Sequence, residues 1–123
     1  MDAKRLKLLL CGEHVSVDRR LIESLKFKYK LSYATNINDL DTILEEKTFS
    51  LILLELMGAT KAELKIIQKI KSNYKSVILI VINNKKNVQN VVNLFNAGAV
   101  DVFPVPYNVE LLVERVEALL KEI

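Results

Sequence analysis

The 123-residue chain has no tryptophan, one cysteine, one histidine, two prolines and three glycines. Each shortage excludes something. Cys11 has no second cysteine to pair with, so the fold is held without an internal disulfide, and a reducing, cytoplasmic setting is expected. His14 stands alone, and metal ligands come in sets, so a histidine-based metal centre is not expected. Gly12, Gly58 and Gly98 do not space into a phosphate-cradling loop after any strand, which argues against a small flavodoxin-like cofactor binder. No apolar run is long. The longest aliphatic stretch, Val77 to Ile82, falls far short of the roughly 20 residues that cross a bilayer. The start, Met1 to Lys4 and onward, shows no signal-peptide pattern.

What is present describes a folded domain. Half the residues are hydrophobic and 27% are charged, a mixture that excludes disorder over most of the length. The length suits a single domain over residues 1–123. Eighteen basic and fifteen acidic side chains give a net charge of +3, too mild to imply nucleic-acid binding. The charge is unevenly placed. Lys61, Lys65, Lys69, Lys71, Lys75, Lys85 and Lys86 share their stretch with one acid, Glu63. Glu110, Glu114, Glu117 and Glu122 dominate the C-terminal stretch. Both read as solvated helix faces, with the lysines between 61 and 75 on the outer face of one helix.

Five short apolar runs recur: Leu6 to Cys11, Leu31 to Thr35, Leu51 to Leu56, Val77 to Ile82 and Val100 to Phe103. Three are almost continuously aliphatic, as in strands covered on both faces. Helical spacing separates them. Val17, Leu21, Ile22 and Leu25 mark the first helix; Leu40, Ile43 and Leu44 the second, capped by Asn38 or Asp39. Leu64, Ile67 and Ile70 mark the third, and Val88, Val91, Val92 and Phe95 the fourth, which stops at Gly98. Val109, Leu112, Val116, Leu119 and Ile123 mark the fifth, capped by Asn108. Five β-α units predict an α/β fold: a doubly wound, five-stranded parallel sheet of order 2-1-3-4-5 between helix layers, flavodoxin-like in architecture. Ligands in such sheets sit outside the carboxyl ends of the strands, so the residues to examine are Cys11, Gly12 and Glu13, then Glu55 to Met57, Asn83 and Asn84, and Val105 with Pro106.

Two stretches resemble the receiver domain of two-component response regulators. They are Leu51 to Met57 (Leu-Ile-Leu-Leu-Glu-Leu-Met) and Asn96 to Tyr107 (Asn-Ala-Gly-Ala-Val-Asp-Val-Phe-Pro-Val-Pro-Tyr). The resemblance covers the whole length. It implies a phosphoacceptor aspartate at the end of the third strand, where this chain has Glu55. It implies an acidic pair after the first strand that holds Mg²⁺, where this chain reads Cys11, Gly12, Glu13. It implies a hydroxyl after the fourth strand, a rotating aromatic in the fifth and a phosphoryl-pairing lysine; here those positions are Asn83, Val102 and Val105. The proline after the lysine position remains as Pro106, and the resemblance implies a cis bond before it.

Phosphoryl transfer consists mainly of positioning and charge neutralisation. Val105 cannot donate, Asn83 has a different reach, and a glutamate carboxylate sits one methylene beyond the in-line position. The expectation is an atypical, pseudo-receiver acting as a phosphorylation-independent protein-interaction module in signal transduction. It is not expected to be an enzyme or to need a cofactor, although Glu13 and Glu55 leave weak Mg²⁺ binding open. Glu55 reads as a drifted residue, tolerated because the strand end meets water, in preference to a mimic of phosphoaspartate. Cys11 reads as a small core residue. The alternative is a conventional phosphoaccepting receiver in a phosphorelay. By the resemblance, a protein partner or a second copy would use the face of the fourth helix, fifth strand and fifth helix, and an output domain would follow if the chain is a fragment.

Overall fold

The computed structural model describes residues 5–84 and 87–121. The readings placed on Met1 to Lys4, Lys85, Lys86, Glu122 and Ile123 lie outside these residues. The strands are β1 (Lys7–Cys11), β2 (Lys30–Ala34), β3 (Leu51–Leu56), β4 (Ile78–Asn83) and β5 (Asp101–Pro104). The helices are α1 (Arg19–Leu25), α2 (Leu40–Glu46), α3 (Lys61–Asn73), α4 (Val88–Ala97) and α5 (Val109–Leu120). All strand pairs are parallel, in the order β2-β1-β3-β4-β5. Side chains alternate across the sheet, so β1 and β3 feed two cores. Leu9, Cys11, Ile52, Leu54 and Leu56 pack on the side of α2, α3 and α4. Leu8, Leu10, Leu51 and Leu53 pack on the side of α1 and α5. The central strands are buried almost throughout, which is why they read as continuous aliphatic runs.

Helix ends are fixed by local chemistry. Thr60 and Glu63 form a reciprocal capping box at the start of α3. Asn87 accepts from the Gln89 and Asn90 amides at α4, and Asn108 from Leu111 at α5. Gly98 ends α4 at φ +133°, and a Cβ there would lie 2.5 Å from Lys71 Cγ.

Several expectations need correction. Val17 is not a core residue: it lies in the 3-10 turn Val15–Val17, is exposed, and precedes α1. Asp39 is the N-cap residue of α2, one of the two expected, but its side chain makes no cap bond; Asn36 accepts from the Asn38 amide in the turn before it. The fifth strand runs one residue later than its apolar signal, and Pro104 is its last residue rather than a residue beyond it. An edge strand tolerates the missing N–H. Lys71 does not point outward. Its amine donates to the carbonyls of Val77 at 2.6 Å and Lys75 at 3.2 Å, closing the α3–β4 turn. Burial holds its pKa below the ordinary lysine value. The apolar marks on α4 face outward: Val88 is 82% exposed, and Val92 and Phe95 are also exposed, while Leu94 and Ala97 fill the core.

Candidate functional site

The carboxyl ends of β1 and β3 lie side by side, with Cys11 paired to Leu54. Glu55 follows on the face that carries Leu51 and Leu53, turned toward α1 and α5. Its side chain is only 9% exposed. It does not meet water at a strand end, as a drifted residue would. Oε1 accepts from the backbone amides of His14 and Val15, both at 2.9 Å. Oε2 lies 2.7 Å from His14 Nδ1. Burial would raise the Glu55 pKa, but the Val15 amide, the His14 imidazole and the His14 amide outweigh it and hold the carboxyl below its usual value. The reciprocal effect raises the His14 pKa, chiefly through the hydrogen bond to Glu55 and then its charge.

Gly12 makes this possible. It sits at φ +150°, and a Cβ there would lie 2.4 Å from Glu55 Cβ and 2.6 Å from Oε1. Any side chain at position 12 would claim the volume that Glu55 uses. Ser16 Oγ donates to the Gly12 carbonyl at 2.5 Å, and the Gly12 amide bonds to Ala34, which pins the turn from two sides.

A second carboxylate serves the β3–α3 loop. Glu63 accepts from the amides of Met57 at 2.8 Å, Thr60 at 3.0 Å and Gly58 at 3.2 Å. Ala59 in this loop takes a positive φ of 57°. Sequence reasoning left Glu63 as a lone acid among lysines. The readable signal was Thr60 followed three residues later by Glu63. Together Glu55 and Glu63 hold the backbone N–H groups of His14, Val15, Met57, Gly58 and Thr60 around one cleft. The cleft has a volume of about 230 Å³, and Glu13, Thr35 and Ile37 complete its walls.

The donors facing Glu55 are N–H groups, which suit an anion and oppose a cation at the same oxygens. Among the described residues no group of three or more histidine, cysteine, aspartate or glutamate side chains could hold a metal ion. Cys11 is fully buried, with its thiol pKa pushed up to about 12 by burial and then by the charges of Asp39 and Glu55.

The remaining positions do not join this cleft. Asn83 is 2% exposed and pairs in register with Leu56, so it faces the other side of the sheet from Glu55. It lines a hollow of about 320 Å³ between α4 and β5, with Val88, Val91, Val102, Phe103 and Pro104. Val105 packs against the α1–α5 core. The Val105–Pro106 bond is cis.

No protein-family model and no curated relative matches this sequence. Solved structures do. A response regulator from Thermotoga maritima superposes with a TM-score of 0.84 at 19% identity, over 96% of this chain and 99% of that one. HP1043, an orphan response regulator of H. pylori, gives 0.81 at 20% identity, over 94% and 98%. An atypical orphan response regulator with a phosphorylation-independent regulatory mechanism gives 0.80 at 20% identity, over 94% and 96%. The chain has the receiver fold. Within that fold, Glu55 occupies the end of β3 and Gly12 the turn after β1, so the departures noted in the sequence gather at one end of the sheet. No helix among the described residues of this receiver fold is long and apolar enough to cross a membrane.

Proposed function

We propose that this receiver-fold chain is a protein-interaction module that signals without phosphorylation, is not an enzyme and uses no Mg²⁺. The observation that carries the reading is the Glu55 carboxylate, bonded through Oε1 to the His14 and Val15 amides. A phosphoacceptor needs an accessible oxygen and neighbouring cations. Here the oxygens are committed, and the lysine position is Val105. The chain's own carboxylates already occupy the amides that border the cleft.

The contact face in this reading is α4 with its β5 and α5 edges. Val88, Val91, Val92 and Phe95 share one arc of α4, about 100° wide at 3.6 residues per turn. That arc is additional to the buried Leu94 and Ala97. The helix carries no charged side chain. Phe103 on β5 lines the hollow beside α4, Leu111 on α5 is exposed, and Asp101 and Arg115 pair with each other at 2.8 Å. A neutral apolar face of this kind takes a protein partner, a second copy of the chain included. The experiment is incubation with a small-molecule phosphodonor and Mg²⁺, read by intact mass. An unchanged mass is expected; a gain of one phosphoryl group on Glu55 or another acid overturns the reading.

A further inference from the structure

The contacts of Glu55 continue beyond the cleft. His14 and Val15, whose amides the carboxylate holds, open the 3-10 turn Val15–Val17, and Val15 is fully buried. The turn leads directly into Asp18, the N-cap of α1. Asp18 serves two elements. Oδ1 accepts from the Leu21 amide at 3.2 Å, and Oδ2 accepts from the Tyr107 hydroxyl. Tyr107 precedes Asn108, the N-cap of α5, and its ring packs in the core shared by α1 and α5. Side-chain bonds therefore run from the end of β3 to the β1–α1 segment and from there to the start of α5. Val102 takes no part in this line, because it packs in the core on the other side of the sheet.

We propose that Glu55, Asp18 and Tyr107 form a strut that couples the order of the cleft loop to the start of α5, so that freeing Glu55 loosens the α5 edge of the interaction face. The proposal rests on the reading of Glu55 as a structural carboxylate. Glu55 acts here as a positioning residue. Its carboxylate fixes the turn, the turn fixes Asp18, and Asp18 orients Tyr107. The two outer links are hydrogen bonds between parts of the chain far apart in sequence and the middle one is the turn itself, so loss at one end is felt at the other only if that turn moves as a unit. Coupling of this kind is reciprocal.

The test is hydrogen exchange read by mass spectrometry on the full chain, for the native protein, Glu55→Ala, Tyr107→Phe and the double variant. Glu55→Ala is expected to speed exchange about tenfold, the factor equivalent to one charge-assisted hydrogen bond, over residues 13–18 and also over 107–112. Tyr107→Phe is expected to do the same from the other end, and the double variant to add little to either single one. The strut is overturned if Glu55→Ala loosens residues 13–18 alone, or if the two single effects simply add. Tyr107→Phe removes only a hydroxyl, so it supplies the reading from the far end should Glu55→Ala fail to fold. The phosphodonor experiment on the native chain reports separately on Glu55 as an acceptor. An adduct there with coupled exchange here would refute the first reading and keep the strut.

Discussion

Gly12 and Glu55 occupy one volume: a Cβ at Gly12 would lie 2.4 Å from Glu55 Cβ. The two residues are therefore a single structural choice. With the backbone as it stands, a side chain after β1 would meet both the Cβ and Oε1 of Glu55, and Oε1 is the atom that accepts from the His14 and Val15 amides.

Gly12→Ala should accordingly displace the Glu55 side chain and strain the turn. Backbone strain at a positive-φ position costs about 1–3 kcal/mol, and the clash adds to it. Chemical denaturation should show a loss of at least that size. Combining Gly12→Ala with Glu55→Ala should recover at most the share due to the Oε1 contact at 2.6 Å, because alanine keeps the Cβ that lies 2.4 Å away.

The His14–Glu55 pair sets a pH window. Glu55 has its pKa lowered, so its contribution to stability is present above the ordinary carboxyl value of 4.5 and is lost as pH falls through the lower folded value. His14 has its pKa raised, so its contribution is present below 6.5 and is lost as pH rises through the higher folded value. The pair contributes most between these two values. Melting temperature followed against pH should decline on the alkaline side of this window, and His14→Gln should flatten that decline. An unchanged alkaline limb in His14→Gln would show that the pair contributes nothing there.

Cys11 should be inert in the folded protein. Its thiol is fully buried and its pKa is pushed up to about 12, so almost no thiolate exists near neutral pH. A disulfide-exchange reagent should label it only after denaturant is added. Labelling at the rate of a free thiol in native buffer would contradict the buried position.

The α4 face gives a prediction about association. Val88→Asp with Phe95→Asp places charge on exposed positions and should alter stability by no more than about 0.5 kcal/mol for each site. Sedimentation velocity, or binding to a partner once one is known, should show association lost. Association retained by the double variant would move the contact face elsewhere.

The strands were legible because burial on both faces leaves an uninterrupted aliphatic signature, as in Leu51 to Leu54. Their order followed from the β-α alternation and the handedness of crossovers. The outward stripe of α4 was not legible. Val88, Val92 and Phe95 have helical spacing, but spacing alone does not say which of two apolar stripes meets the sheet. Glu55 was found as a position and misjudged as an environment. Its partners lie about 40 residues away in a turn whose geometry no local pattern announces. Lys71 was misplaced for a similar reason: a long side chain can bury its stem and turn its amine to backbone carbonyls.

The most direct test of Glu55 as a structural carboxylate is an amide NMR titration of the native chain with Mg²⁺ and beryllofluoride, a phosphoryl analogue. The account predicts that the His14, Val15 and Met57 signals stay where they are. Saturable shifts centred on those three amides would show that the cleft admits a metal and an anion, and would contradict it.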